Sequence, residues 1–162
     1  MGDVVRASEV LGEILKKMGI DATIESREEG ERIVLDVRGP EAGLVIGKKG
    51  QTLEALQYLV GKIVHTNIES EGGVAAGPVT AKPVVVDAEG YRARRVDSLV
   101  ELAQRLGDKA IRTRRTITVN PMSPHDRRII HITLDKVPGV TTRSEGEGIF
   151  RRLLIIPDPN KV

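Results

Sequence analysis

The chain has no cysteine and no tryptophan. Without thiols it can form neither a disulfide nor a thiolate metal site. Its three histidines, His65, His125 and His131, lack metal-ligand spacing, so neither a metal nor another cofactor is expected. No apolar run approaches the ~20 residues that span a bilayer, and the first residues lack the apolar core of a signal peptide. The expectation is a cytoplasmic protein without membrane insertion. Aromatic residues are scarce, with Tyr58, Tyr91 and Phe150 the whole set. RNA-recognition folds that stack bases on aromatic platforms use more than this. Base recognition, if present, is expected to rest on aliphatic surface, hydrogen bonds and arginine planes.

The net charge of +2 conceals an asymmetry. Residues 1–87 carry 10 Lys and Arg against 14 Asp and Glu, and residues 88–162 carry 15 against 9. Twelve of those 15 are arginines, whose planar fork suits bidentate phosphate contact. A basic second half points to a polyanionic partner.

Hydrophobic spacing divides the 162 residues into two small α+β units, 1–88 and 89–162. In the first, residues 7–18 read as a helix that Ser8 caps and Gly19 ends. Strands follow at 23–27 and 32–38, with a hairpin turn at 28–31. Pro40 can open a short helix over 41–46. A second helix is expected over 51–64, with Leu53, Leu56, Val60, Ile63 and Val64 on its apolar face. Residues 66–82 read as a loop, and Val84-Val85-Val86 as a buried strand. In the second unit a long helix is expected over 91–112, its apolar face built from Val96, Leu99, Val100, Leu102, Ala103 and Leu106. A strand at 116–119 precedes a helix that Ser123 caps, Pro124 opens and Leu134 ends. Strands at 140–143 and 151–156 are joined by Ser144-Glu145-Gly146-Glu147-Gly148.

Between the first two helices of the middle segment lies Ile46-Gly47-Lys48-Lys49-Gly50. Gly-x-x-Gly alone is close to a chance pattern in a chain with 17 glycines. Its context is stronger: a helix end before it, two lysines inside it and a leucine-rich helix after it. A phosphate-binding NTPase loop is excluded, because only three residues separate Gly43 from Gly47 and Lys48 is followed by Lys49. The segment resembles the KH domain, whose Gly-x-x-Gly loop clamps a short run of single-stranded backbone. The element order α-β-β-α-α-β resembles the prokaryotic-type arrangement. That resemblance implies that Gly47 and Gly50 allow close phosphate approach and that Lys48 and Lys49 supply charge. Ile46, Leu53 and the strand from Ile33 to Val37 would wall an aliphatic base groove.

Arg127 and His131 stand four apart on the helix after Pro124, one turn apart on one face. Arg127 could fork onto a phosphate while His131 donates or stacks. Arg128 lies off that face, either reaching a phosphate from the side or solvated. Glu145 and Glu147, held between glycines, are expected to pair with Arg127, Arg151 or Arg152 rather than to catalyse. The clusters Arg92, Arg94, Arg95 and Arg112, Arg114, Arg115 are either solvated or an extended phosphate track. The run from Arg127 to His131, with Thr142-Arg143-Ser144 and Arg151-Arg152, resembles the R-three-H domain, a small sheet with packed helices. Its resemblance marks Arg127, Arg128, His131, Arg143 and Arg151 as nucleic-acid contacts.

KH followed by R-three-H is similar to the layout of the Jag family, also called SpoIIIJ-associated or KhpB. The family's members often carry a further N-terminal domain, and here the sequence opens on the first KH helix, which puts that domain's role in doubt. The resemblance implies a bacterial single-stranded RNA binder with no catalytic residue, acting after transcription in cell elongation and division. It also implies a small single-KH protein as partner. Two alternatives stay open: single-stranded DNA as ligand, and a protein-interaction scaffold whose KH unit forms a dimer or recruits a partner.

Overall fold

The computed structural model describes residues 2–69, 73–76 and 82–161, with 67–69 and 73–76 described by their backbone. The fold is α+β, in two units, Met1–Arg92 and Ala93–Val162.

The first unit runs α1 (Asp3–Lys17), β1 (Thr23–Glu29), β2 (Arg32–Arg38), α2 (Ala42–Ile46), α3 (Gln51–His65), β3 (Thr66–Glu69), β4 (Gly73–Ala76) and β5 (Val84–Ala88). β2 is the central strand, antiparallel to β1 and parallel to β5. All five of its interior residues, 33–37, are buried, as suits a strand paired on both edges. Ile33, Leu35 and Val37 all point to one face and are fully buried against the helices. Ala7, Leu11 and Leu15 of α1 and Leu53, Leu56, Val60 and Val64 of α3 complete this core.

Three expectations for this unit change. α1 begins at Asp3, so Ser8 lies inside the helix; Gly2 is the N-cap, and Asp3 complements the dipole from the first turn. Ile63 is exposed, because Val60 and Val64 already occupy the buried stripe and position 63 falls about 100° away from Val64. The expected loop over 66–82 contains strands: β3 and β4 pair antiparallel as a two-stranded hairpin. Four-residue strands carry too little alternation to announce themselves. The remainder of that loop, 70–72 and 77–81, lies outside the described residues.

The second unit carries most of α4 (Tyr91–Thr113), then β6 (Ile117–Val119), α5 (Pro124–Asp135), β7 (Val140–Glu145) and β8 (Arg152–Pro157). Its sheet has the order β6-β8-β7, antiparallel throughout. α4 buries Leu99, Ala103, Gly107 and Ala110, a narrower stripe of smaller residues than expected. Leu102 and Leu106 pack partly against this core, and Val96 is exposed. Gly107 is the contact point with α5: a Cβ there would stand 2.7 Å from Leu134 Cδ2. α5 starts as its sequence dictates. The Ser123 side chain accepts the Asp126 N–H at 3.2 Å, and Pro124 opens the helix.

Candidate functional site

The Gly47–Gly50 loop owes its glycines to its own packing. Gly47 sits at φ 68, ψ −169, a region essentially closed to other residues, and a Cβ there would collide with the Thr52 side chain. Gly50, at φ 82, is buried, and a Cβ on it would stand 2.8 Å from Tyr91 Cε1. The tip residues Lys48 and Lys49 are exposed, Lys49 in the left-handed region at φ 54. α3 begins directly behind them with no side-chain cap, so its positive dipole end backs the two ammonium groups.

The groove expected beside the loop is not built from the residues named for it. Leu53, Ile33, Leu35 and Val37 are core residues, closed to any ligand. Ile46 is half-buried and packs on that core. The accessible aliphatic side chain is Leu44, 60% exposed. Its position was readable: α2 buries Ala42 and Val45, three apart, which turns Leu44 outward.

Elsewhere in the unit most of the other basic residues are occupied. Arg27 and Arg32 both bind Glu29, at 2.7 and 3.0 Å, and Arg38 binds Glu25 and Asp36, each at 3.0 Å. Lys82 pairs with Glu28. Arg6 reaches the Ile63 and Thr66 carbonyls, and Arg92 donates to the Val86 carbonyl and Gln57 Oε1, both at 2.8 Å. Hydrogen bonds from Arg27 and then Arg32 hold the Glu29 carboxyl below the ordinary glutamate range. The same bond raises Arg27, and the bond to Glu28 raises Lys82. Among the described residues, Lys48 and Lys49 form no ion pair.

In the second unit, α5 and the β7–β8 hairpin bring Arg127, His131 and Arg151 to one side. Arg127 Nη1 donates to the Met122 carbonyl at 2.7 Å and reaches the Arg151 carbonyl at 3.5 Å. His131 Nδ1 hydrogen-bonds Thr142 Oγ1, and Arg151 Nε donates to Ser144 Oγ at 2.8 Å. Thr142 and Ser144 share a strand face with the buried Val140, the face that α5 covers. Arg143, between them, points to the opposite face with its cross-strand partner Leu154. The sheet register thus separates Arg143 from the Arg127 group. Arg128 is exposed, one residue around the helix from the half-buried Arg127.

The arginine clusters divide by role. Arg95 pairs with the buried Asp126 at 2.6 Å, and its own Nε is buried without a partner. With Arg92 held inside the first unit, neither belongs to a phosphate track. Arg112, Arg114 and Arg115 are exposed at the end of α4. Glu145 and Glu147 make no ion pair among the described residues, against expectation, because Arg127 is engaged by carbonyls and Arg151 by Ser144. The loop after Glu147 also presents two apolar residues, Ile149 at 84% and Phe150 at 76% exposure. An Ile-Phe pair among glycines, glutamates and arginines was the signal for it. No group of three or more His, Asp or Glu among the described residues could hold a metal ion. No helix among them is long and apolar enough to cross a membrane.

A KH-type unit with a charged Gly-x-x-Gly loop, followed by an Arg-x-x-x-His unit, defines a tandem protein of KH and R-three-H domains. Residues 7–70 match the family model described as KhpA/KhpB, KH domain, and residues 97–157 match the R-three-H domain. The chain belongs to the KhpB-type family, in which these two domains follow one another. It is 37% identical over 138 residues to the RNA-binding protein KhpB of Clostridium symbiosum, covering 85% of this chain and 58% of that protein. It is 36% identical over 137 residues to the RNA-binding protein KhpB of Bacillus subtilis, covering 83% and 60%. A KhpB of Streptococcus pneumoniae is 28% identical over 142 residues, covering 88% and 40%. The chain therefore spans no more than three-fifths of the length of these relatives.

Proposed function

We propose that this chain binds single-stranded RNA through two separate sites and catalyses nothing. The observation that carries this is the Gly47–Gly50 loop. It is shaped by its own glycines and presents Lys48 and Lys49 without ion pairs among the described residues, in a unit where Arg27, Arg32 and Arg38 are engaged by carboxylates. The second site is the α5–hairpin face with Arg127, His131 and Arg151, and Arg128 beside it; Arg143 contributes from the opposite sheet face if the strand wraps the hairpin edge. Ile46 shapes the base of the first site and Leu44 its surface. The relatives' printed name, RNA-binding protein, favours RNA over DNA. Two modest sites on one chain raise apparent affinity through effective concentration.

The test is binding of a labelled single-stranded RNA to the Lys48→Asp/Lys49→Asp protein, with folding checked by circular dichroism. Binding should weaken roughly tenfold or more, and the log–log salt slope should fall in magnitude by about 1.4, or ~0.7 per lost phosphate contact. Unchanged affinity and slope would remove the loop from the interface. Competition with the matched DNA strand reports whether the 2′-hydroxyl is read. The family resemblance extends the proposal to a post-transcriptional role in cell elongation and division, with a small single-KH protein as partner.

A second reading, a protein-interaction role for the KH unit, is favoured by one feature. On α3, Tyr58 is 65% exposed, and Leu59 and Ile63 are exposed beside it. Sedimentation of the Leu59→Lys protein beside the wild type, without RNA, tests it. Concentration-dependent association that the substitution abolishes would support a protein contact there.

A further inference from the structure

We infer that Phe150, at the tip of the β7–β8 hairpin, is a base-stacking platform of the second site. The inference rests on the proposal that this unit binds single-stranded nucleic acid. Phe150 is 76% exposed and Ile149 84% exposed, in a protein with one phenylalanine and no tryptophan. An aromatic ring left in water at a hairpin tip gives up about as much apolar burial as any residue in the chain could. The tip is also ordered by its own backbone. The Phe150 N–H donates to the Glu147 carbonyl at 3.2 Å and the Arg151 N–H to the Gly148 carbonyl at 3.3 Å, a single 3₁₀ turn. Gly146 at φ 94 and Gly148 at φ 52 supply the left-handed bends that raise it.

Its surroundings select the occupant. Arg151 and Arg152 follow Phe150 directly. The Arg151 carbonyl lies against the Arg127 guanidinium, and the Arg151 guanidinium is steadied by Ser144. The ring therefore sits one residue from the backbone that Arg127 touches, flanked by cations that suit phosphates. Residues 93–162 carry 14 Lys and Arg against 8 Asp and Glu. A second copy of so basic a unit is disfavoured as the occupant, and a flexible polyanion with flat apolar bases is favoured. A base on the ring, with a flanking phosphate on Arg151, uses both chemistries at once.

The absence of tryptophan makes the test specific. In Phe150→Trp the new indole is the protein's single tryptophan, and a single-stranded RNA oligomer should quench its fluorescence with affinity close to wild type. Phe150→Ala should weaken binding about five- to 150-fold, the range for loss of one stacked base, while leaving the salt slope unchanged. An oligomer with abasic positions should bind the wild-type and Phe150→Ala proteins alike. The residue is exposed, so circular dichroism should show both variants folded. If Phe150→Ala binds like wild type while Lys48→Asp/Lys49→Asp does not, the platform is refuted and the RNA-binding proposal stands. If the wild type binds no oligomer, both fall. An indole signal that responds to protein concentration or to anionic vesicles, but not to RNA, assigns the tip to another contact and refutes the platform.

Discussion

The Arg127 guanidinium hydrogen-bonds the Met122 carbonyl oxygen at 2.7 Å, five residues before it in the chain. The residue expected to grip a ligand is thus also a brace for the segment leading into α5. With its second contact at the Arg151 carbonyl, it ties that segment to the β8 end of the hairpin.

Replacing Arg127 by alanine should therefore lower stability and RNA binding together. Losing a charged donor to a part-buried carbonyl is worth about 1.5–3 kcal/mol, and each kcal/mol shifts the melting temperature of so small a domain by roughly 4–8 °C. His131→Ala removes an exposed ring held through Thr142, so it should weaken binding with little change in melting temperature. Thermal melts beside binding curves separate the two. Equal stability losses in both variants would contradict the assignment.

Gly47→Ala and Gly50→Ala should destabilise the first unit by about 1–3 kcal/mol each, from left-handed strain and from collision with Thr52 or Tyr91. Urea unfolding measures this. Lys48→Asp/Lys49→Asp should leave the midpoint nearly unmoved, because both side chains are exposed and make no ion pair among the described residues.

Arg95→Ala should cost about 3 kcal/mol, since it strands the buried Asp126 carboxylate without its cation. Asp126→Asn in the same protein should recover part of that loss. A double-mutant cycle in guanidinium chloride would expose the coupling, and additive losses would show that the pair contributes none.

Glu29 should titrate below the ordinary glutamate range when followed by carbon-13 NMR. Its folded-state pKa is depressed, so its small stabilising contribution exists above the unfolded value and disappears as pH falls through the folded one. Arg27→Ala, which removes the largest cause, should move Glu29 back toward that range. Arg32→Ala should do so less.

Much of the fold was legible because burial imposes period. β2 was placed at its observed bounds by four apolar residues, Ile33, Val34, Leu35 and Val37, and α5 by the Ser123-Pro124 start. The order of elements around the Gly-x-x-Gly loop followed from the same signal. What the sequence withheld depends on partners distant in the chain. Whether Leu53 lines a groove or fills a core is decided by what α3 packs against, and it packs against α1 and β5. The R-three-H resemblance groups Arg143 with Arg127, and strand register puts it on the other face. Arg95 looks like its neighbour Arg94 until Asp126, 31 residues away, engages it. Arginine has one sequence letter for bracing and for binding, and only tertiary contacts distinguish them.

Thr52 and Tyr91 pack against the Gly47–Gly50 loop where side chains on its two glycines would stand. A loop with no ordering step of its own leaves encounter to diffusion and to the attraction between lysine and phosphate. Association rates should then be similar for unrelated single strands and fall together as salt rises. Discrimination among them would reside in how long each complex lasts.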